Sequence, residues 1–155
     1  AIEMARQDLA GHDFLLFLGD EIMLSPRHGE MIQAFQDDPG LFVSCGVVRQ
    51  PDLKQIRKTY AIIQDDRQRV FRLIEKPENP QIPLQGTGNC IFSKDIFSYI
   101  PKVPIHHVRG EKELPDLIQC AIDDGRMVNS FEVCENYINI NTKEELAWLE
   151  QNWPA

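Results

Sequence analysis

The 155-residue chain has no run of about 18 apolar residues, the length a membrane-crossing helix needs, so no membrane span is expected. It lacks a basic excess as well. Sixteen Lys and Arg stand against 24 Asp and Glu, a net charge of −8, which argues against a protein that coats nucleic acid or an anionic membrane. A basic pocket for one small phosphate stays compatible with that balance. The start, "AIEMARQDLAG", has neither the basic opening nor the apolar core of a signal peptide. No CxxC pair, internal repeat or low-complexity segment is present. Cys45, Cys90, Cys120 and Cys134 are widely spaced, mostly in apolar stretches, and read as buried free thiols in a reducing cytosol.

What is present is ordinary globular material, 43% hydrophobic and 26% charged, enough for one domain burying roughly two-thirds of its unfolded surface. Ile2, Ala5 and Leu9 recur at helical spacing and Gly11 can stop the helix. "DFLLFLG" and "LFVSCGVV" are continuous apolar runs, the pattern of strands covered on both faces. A helix over residues 27–37 between them implies a crossover and a parallel pair. "TYAIIQ" and "RVFRLIEK", joined by "DDRQ", read as a hairpin, with Val70, Arg72 and Ile74 on the face opposite Phe71, Leu73 and Glu75.

"EKPENPQIP" is a proline-rich loop, "TGNCIFS" a short strand, and "KDIFSYI" a short helix closed by Pro101. "LPDLIQCAIDDG" is an amphipathic helix ended by Gly125, "MVNSFEV" and "YININ" are strands, and "TKEELAWLEQNW" is a helix opened by a Thr142/Glu145 capping box. The order predicts an α/β fold with one mainly parallel sheet and an antiparallel appendage.

Three stretches could carry chemistry. "LLFLGDEIM" ends an apolar run in Gly19, Asp20 and Glu21. In open α/β sheets ligands gather at the carboxyl ends of strands, so this Gly-Asp is either a solvated turn or a place for a metal with bound phosphates. In "LIEKP", Glu75 can accept hydrogen bonds from sugar hydroxyls and Lys76 can balance a phosphate. Neighbouring strand residues reach one ligand only if the strand ends there, as Pro77 enforces. In "GTG", Gly86 and Gly88 allow close approach to the backbone and Thr87 offers a hydroxyl. His106-His107 reads as a solvated loop, since adjacent histidines are expected to point apart and no third ligand stands near.

In order and spacing, "FLLFLGDEI", "TYAIIQDDRQRVFRLIEKP", "GTGNCIFSKDIF", "RGEKELPDLIQCAIDDG" and "YININTKEEL" resemble the back two-thirds of the sugar-1-phosphate nucleotidyltransferases. The resemblance implies one domain over 1–155, the C-terminal two-thirds of a nucleotide-diphospho-sugar transferase-like, Rossmann-like mixed sheet flanked by helices. It implies nucleoside triphosphate and sugar-1-phosphate as substrates, Mg²⁺ as cofactor, and a cytoplasmic protein without nucleic-acid or membrane partners, with homo-oligomer formation open. Asp20 and Asn139 match the metal ligands, with Asn141 as fallback. Glu75 matches the residue on the sugar hydroxyls, and Lys76 and Arg109 those at the sugar phosphate. Tyr60 and Ala61 match a segment whose backbone touches the sugar, and Thr87 and Gly88 line that pocket. In these terms Asp20, Lys76 and Arg109 carry the catalysis, and Glu21 is a solvated neighbour.

The family's "GGxGTRL" loop and "PKP" lysine do not occur in these 155 residues. The resemblance therefore implies a chain carrying the sugar-phosphate pocket and inactive alone. Two alternatives are a non-catalytic sensor that keeps the sugar pocket, and a cytidylyltransferase of another branch of the fold.

Overall fold

The computed structural model of the chain describes residues 2–9, 11–107 and 110–152. Among these residues the strands are β1 Phe14–Leu16, β2 Glu21–Leu24, β3 Leu41–Arg49, β4 Tyr60–Gln64, β5 Val70–Glu75, β6 Leu84–Phe92, β7 Met127–Glu132 and β8 Asn136–Asn139. The helices are α1 His28–Asp37, α2 Leu53–Ile56, α3 Leu114–Asp123 and α4 Lys143–Asn152. Six strands form one sheet in the order β5-β4-β6-β3-β7, with β1 also paired to β6, while β2 and β8 form a separate antiparallel ribbon.

The apolar run of β3 is continuous because both of its faces are covered. One cluster packs Val43, Cys45, Val47 and Phe92 with Leu117, Ile118 and Ala121 of α3; the other packs Leu41, Val48 and Ile91 with Met31 and Phe35 of α1. All nine residues of β6 are buried too, and the strand starts at Leu84, ahead of the "TGNCIFS" that marks it in the sequence.

The expectation of a mainly parallel sheet is corrected. β3 is parallel only to β7, and β1, β3 and β4 all run antiparallel to β6. Helix α1 does return the chain in the direction of β1, but β6 lies between β1 and β3. Apolar continuity reports coverage of both faces and carries no information on strand direction.

The opening run is also shorter as a strand than its apolar pattern implies. β4 pairs with Gln85 and Gly86 of β6, and β1 pairs with Cys90 to Phe92, so β1 has three residues and all are half-buried. Phe17 and Leu18 leave it 55% and 40% exposed. The first segment is a 3-10 helix over Ile2–Ala5 followed by turn, and "KDIFSYI" forms 3-10 helices at Lys94–Ser98 and Ile100–Lys102, with Pro101 inside the second.

In the β4–β5 hairpin the register slips between Ile63 and Gln64, so Phe71 has no partner in the ladder and bulges. That resets the alternation. Val70 and Leu73 are both buried and Phe71 is 47% exposed, unlike the expected faces. At the start of α4 the capping box forms as expected: Glu145 N–H donates to Thr142 Oγ1 at 3.1 Å, and Thr142 N–H to Glu145 Oε2 at 3.1 Å.

Candidate functional site

A cleft of about 220 Å³ is lined by Asp20 from the β1–β2 turn, Tyr60 at the start of β4, Glu75 and Lys76 at the end of β5, Thr87 and Gly88 in β6, and Asn139 in β8. Asn141 lines it as well. Residues spread over 122 positions of sequence are thus brought to one opening. Ala61 does not line it; the residue is 5% exposed within β4, between Ile74 and Gln85. Arg109 lies outside the described residues. A larger depression of about 410 Å³ adjoins the cleft through shared Lys58, Thr59 and Asn139, with Gln85, Tyr137 and the 58%-exposed Trp148 on its walls.

Glu75 and Lys76 both face the cleft because β5 ends between them. Lys76 has φ +43°, its N–H donates to Thr59 C=O at 2.7 Å, and Pro77 behind it is buried. A left-handed residue in front of proline is disfavoured, costing on the order of 1–3 kcal/mol, and it interrupts the alternation that would otherwise turn neighbouring side chains apart. The Lys76 ammonium stands 3.4 Å from Glu75 Oε1; the lysine side chain is 47% exposed and the glutamate 17%.

The glycines of β6 admit the protein's own side chains where the sequence pointed to a ligand. A Cβ at Gly86 would stand 2.0 Å from the Tyr60 ring, and one at Gly88 would stand 2.2 Å from Leu18. The Thr87 hydroxyl is likewise engaged internally, donating to Gly46 C=O at 2.9 Å and accepting from Asn89 N–H at 3.1 Å. Tyr60 donates its hydroxyl to Thr87 C=O at 2.7 Å. Burial, followed by the neighbouring thiols of Cys90 and Cys45, holds that phenol well above its ordinary pKa.

The residue sequence reasoning missed is Glu21. It is half-buried, and its carboxylate accepts from Gly88 N–H at 2.6 Å, Asn89 Nδ2 at 2.6 Å and Tyr137 O–H at 2.8 Å. Burial raises its pKa above the ordinary value, opposed by these three hydrogen bonds, while the Asp20 charge adds to the rise. The local signal was weak: Glu21 is the first residue of β2, Asp20 still lies in the preceding turn, and both line the cleft.

Asp20 is exposed at the lip of the cleft, and Asn139 Oδ1 is buried without a hydrogen-bond partner among the described residues. Both are hard oxygen donors. An unengaged amide oxygen beside an accessible carboxylate suits Mg²⁺, which takes one or two protein ligands and fills its shell with water and phosphate. Among the described residues no group of three or more His, Cys, Asp and Glu could hold a metal.

Elsewhere, His106 and His107 stack, with ring centroids 5.1 Å apart and planes at 14°, instead of pointing apart. All four cysteines are free thiols; Cys45, Cys90 and Cys134 are buried and Cys120 is half-buried. No helix among the described residues is long and apolar enough to cross a membrane.

The family model described as "Nucleotidyl transferase" matches residues 1–149. The chain is 30% identical over 132 residues to the low-salt glycan biosynthesis nucleotidyltransferase Agl11 of Haloferax volcanii, covering 83% of this chain and 34% of that protein. It is 26% identical over 145 residues to the UTP–glucose-1-phosphate uridylyltransferase AglF of the same organism, covering 94% of this chain and 58% of that protein. The chain thus spans between a third and three-fifths of these relatives. Its fold superposes on the crystal structure of a putative glucose-1-phosphate thymidylyltransferase from Bacillus anthracis in complex with a sucrose. That match has TM-score 0.80 at 17% identity, over 97% of this chain and 58% of that one. Matched along nearly all of its length, the chain belongs to the nucleotidyl transferase family, among the sugar-1-phosphate nucleotidyltransferases.

Proposed function

We propose that this chain supplies the sugar-phosphate pocket and the metal ligands of an enzyme that joins a hexose-1-phosphate to a nucleoside triphosphate, yielding a nucleotide-sugar and pyrophosphate. The observation that carries this reading is the meeting of Asp20, Asn139, Glu75 and Lys76 at one cleft, in a chain of this family.

In the reaction an oxygen of the sugar phosphate attacks the α-phosphorus of the triphosphate. The new P–O bond forms as the bond to the β-phosphate oxygen breaks, and pyrophosphate leaves with that electron pair. No side chain has to act as nucleophile; positioning and neutralisation of charge do the work. Glu75, an acceptor held at the end of β5, takes hydrogen bonds from sugar hydroxyls and so orients the ring. Lys76, already beside that carboxylate, places its positive charge at the sugar phosphate and reduces the repulsion between two anionic substrates. The backbone around Thr87 and Gly88 shapes the wall, its hydroxyl and amide groups being engaged within the protein. Asp20 and Asn139 Oδ1 would hold Mg²⁺, which when bound neutralises phosphate charge and aligns the reacting groups.

The test is pyrophosphate release from a nucleoside triphosphate and a hexose-1-phosphate by the protein that contains this chain, with Mg²⁺ present. Asp20→Ala should lower turnover by at least about a hundredfold, in the range of losing a group that stabilises transition-state charge. Unaltered turnover would remove Asp20 from the metal site. Sugar-phosphate binding without any pyrophosphate release by the wild type would favour a sensor over an enzyme.

A further inference from the structure

An amide side chain is nearly symmetric in shape and opposite in chemistry at its two ends, so a 180° turn of Asn139 would present NH₂ where a cation requires oxygen. Something has to fix which end is left without a protein partner and so available to a cation. From the hydrogen bonds around it, we propose that Glu21, acting through Tyr137, sets the orientation of the Asn139 amide and makes Oδ1 the end offered to the cation. This inference rests on the metal reading of the cleft given above.

The polarity of the network can be followed donor by donor, starting from a group that cannot be reversed. Gly88 N–H is a backbone donor and lies 2.6 Å from Glu21 Oε1. Asn89 Nδ2 lies 2.6 Å from Oε2, and its own orientation is held from the other side by His28 Nε2, 2.9 Å from Asn89 Oδ1. A carboxylate can only accept, so Tyr137, 2.8 Å from Oε1, must direct its single hydroxyl proton at Glu21. With that proton engaged, the Tyr137 oxygen can only accept from any further partner. Asn139 Nδ2 is 3.4 Å from it, and the amino end of the amide therefore turns to Tyr137. Oδ1 is left at the other end, buried and without a protein partner among the described residues.

The strand register makes this possible. Tyr137 and Asn139 are two apart on β8 and so share a side, and Glu21 pairs directly with Asn139 across the ribbon. The same carboxylate ties that ribbon to β6 through Gly88 and Asn89, although the ribbon and the main sheet share no ladder. Glu21 and Tyr137 are thus positioning residues: they act on the ion through Asn139.

The test is Mn²⁺ binding to the whole chain, followed by water-proton relaxation, with urea midpoints to establish that each variant is folded. Tyr137→Phe removes only the hydroxyl and should weaken Mn²⁺ binding by about tenfold, the lower end of what loss of an outer-shell partner costs. In an Asn139→Asp background either carboxylate oxygen can face the ion, so the same Tyr137→Phe change should have no measurable effect there. No loss in the Asn139 background, or an equal loss in both, would overturn the proposal, the second by showing that the tyrosine serves only the fold. If Tyr137→Phe does not fold, Glu21→Gln replaces it with the same expectations, because a glutamine no longer forces the tyrosine proton to one side. If instead Asp20→Ala and Asn139→Ala leave Mn²⁺ binding unchanged, the metal reading itself fails and takes this inference with it.

Discussion

Across β4 and β6, Tyr60 pairs with Gly86 and its ring occupies the space a side chain at Gly86 would need, 2.0 Å from the position of a Cβ. The tyrosine is 4% exposed and its hydroxyl is anchored on Thr87 C=O, so the ring has nowhere to retreat. Leu18 makes a similar approach to Gly88 at 2.2 Å, but it is 40% exposed and can swing outward.

Gly86→Ala is therefore expected to destabilise more than Gly88→Ala, with about 3 kcal/mol for the first and about 1 kcal/mol for the second, the two ends of the range for overpacking. Urea unfolding measures both. Leu18→Ala should relieve the Gly88 variant, whereas no single truncation at Tyr60 should fully restore the other, since it opens a cavity and removes the phenol hydrogen bond to Thr87 C=O, leaving that carbonyl only the Cys90 thiol.

Thr87→Val keeps the shape and removes two internal hydrogen bonds, to Gly46 C=O and from Asn89 N–H. The expected cost is about 2–3 kcal/mol in stability, since both partners are left buried and unpaired. Affinity for a hexose-1-phosphate should stay within about twofold at a temperature where the variant is folded. A large loss of affinity without a loss of stability would return the hydroxyl to the ligand.

Stability should fall as pH rises from about 8.5 to 11. Burial pushes the Cys134 thiol up to about 11, whereas an unfolded thiol ionises near 8.5, so between these values the folded chain holds a proton that the unfolded chain releases. A group with a raised folded pKa contributes stability below its unfolded pKa and loses it as pH climbs. Cys45, held up by its hydrogen bond to Cys90 and by burial, the buried Tyr60 and the half-buried Tyr137 act in the same direction. Unfolding free energies at pH 7.5, 9 and 10 under reducing conditions check the slope, which Cys134→Ala should flatten.

Much of the cleft was legible because its residues follow short, punctuated strands. Gly19-Asp20 after an apolar run, Glu75-Lys76 before a proline, and Asn139 ahead of a capping box each mark a place at or near a strand end, and such places, from the main sheet and from the β2–β8 ribbon, line the cleft. What could not be read depends on pairing partners distant in sequence. The apolar content of β3 is the same whether its neighbours are parallel or antiparallel, so the direction of β6 was hidden. Phe71 looked like a regular strand position until the bulge opposite Ile63 and Gln64 displaced it. Glu21 looked solvated because the groups that bury it, Gly88, Asn89 and Tyr137, lie 67 to 116 residues away. The Thr87 hydroxyl and the two glycines pointed to a ligand for the same reason: their partners Gly46, Tyr60 and Leu18 belong to other strands and turns.

The central claim, that Glu75 and Lys76 read a sugar and its phosphate in one cleft, is tested most directly by calorimetric titration with a hexose-1-phosphate and with the same hexose lacking phosphate. The wild type should bind the phosphorylated sugar more tightly. Lys76→Ala should erase that preference, a loss of about tenfold as expected for a charged hydrogen bond, while leaving the free hexose unaffected. Glu75→Ala should weaken both sugars by similar factors. A Lys76→Ala variant that keeps the full preference for the phosphorylated sugar would contradict the account.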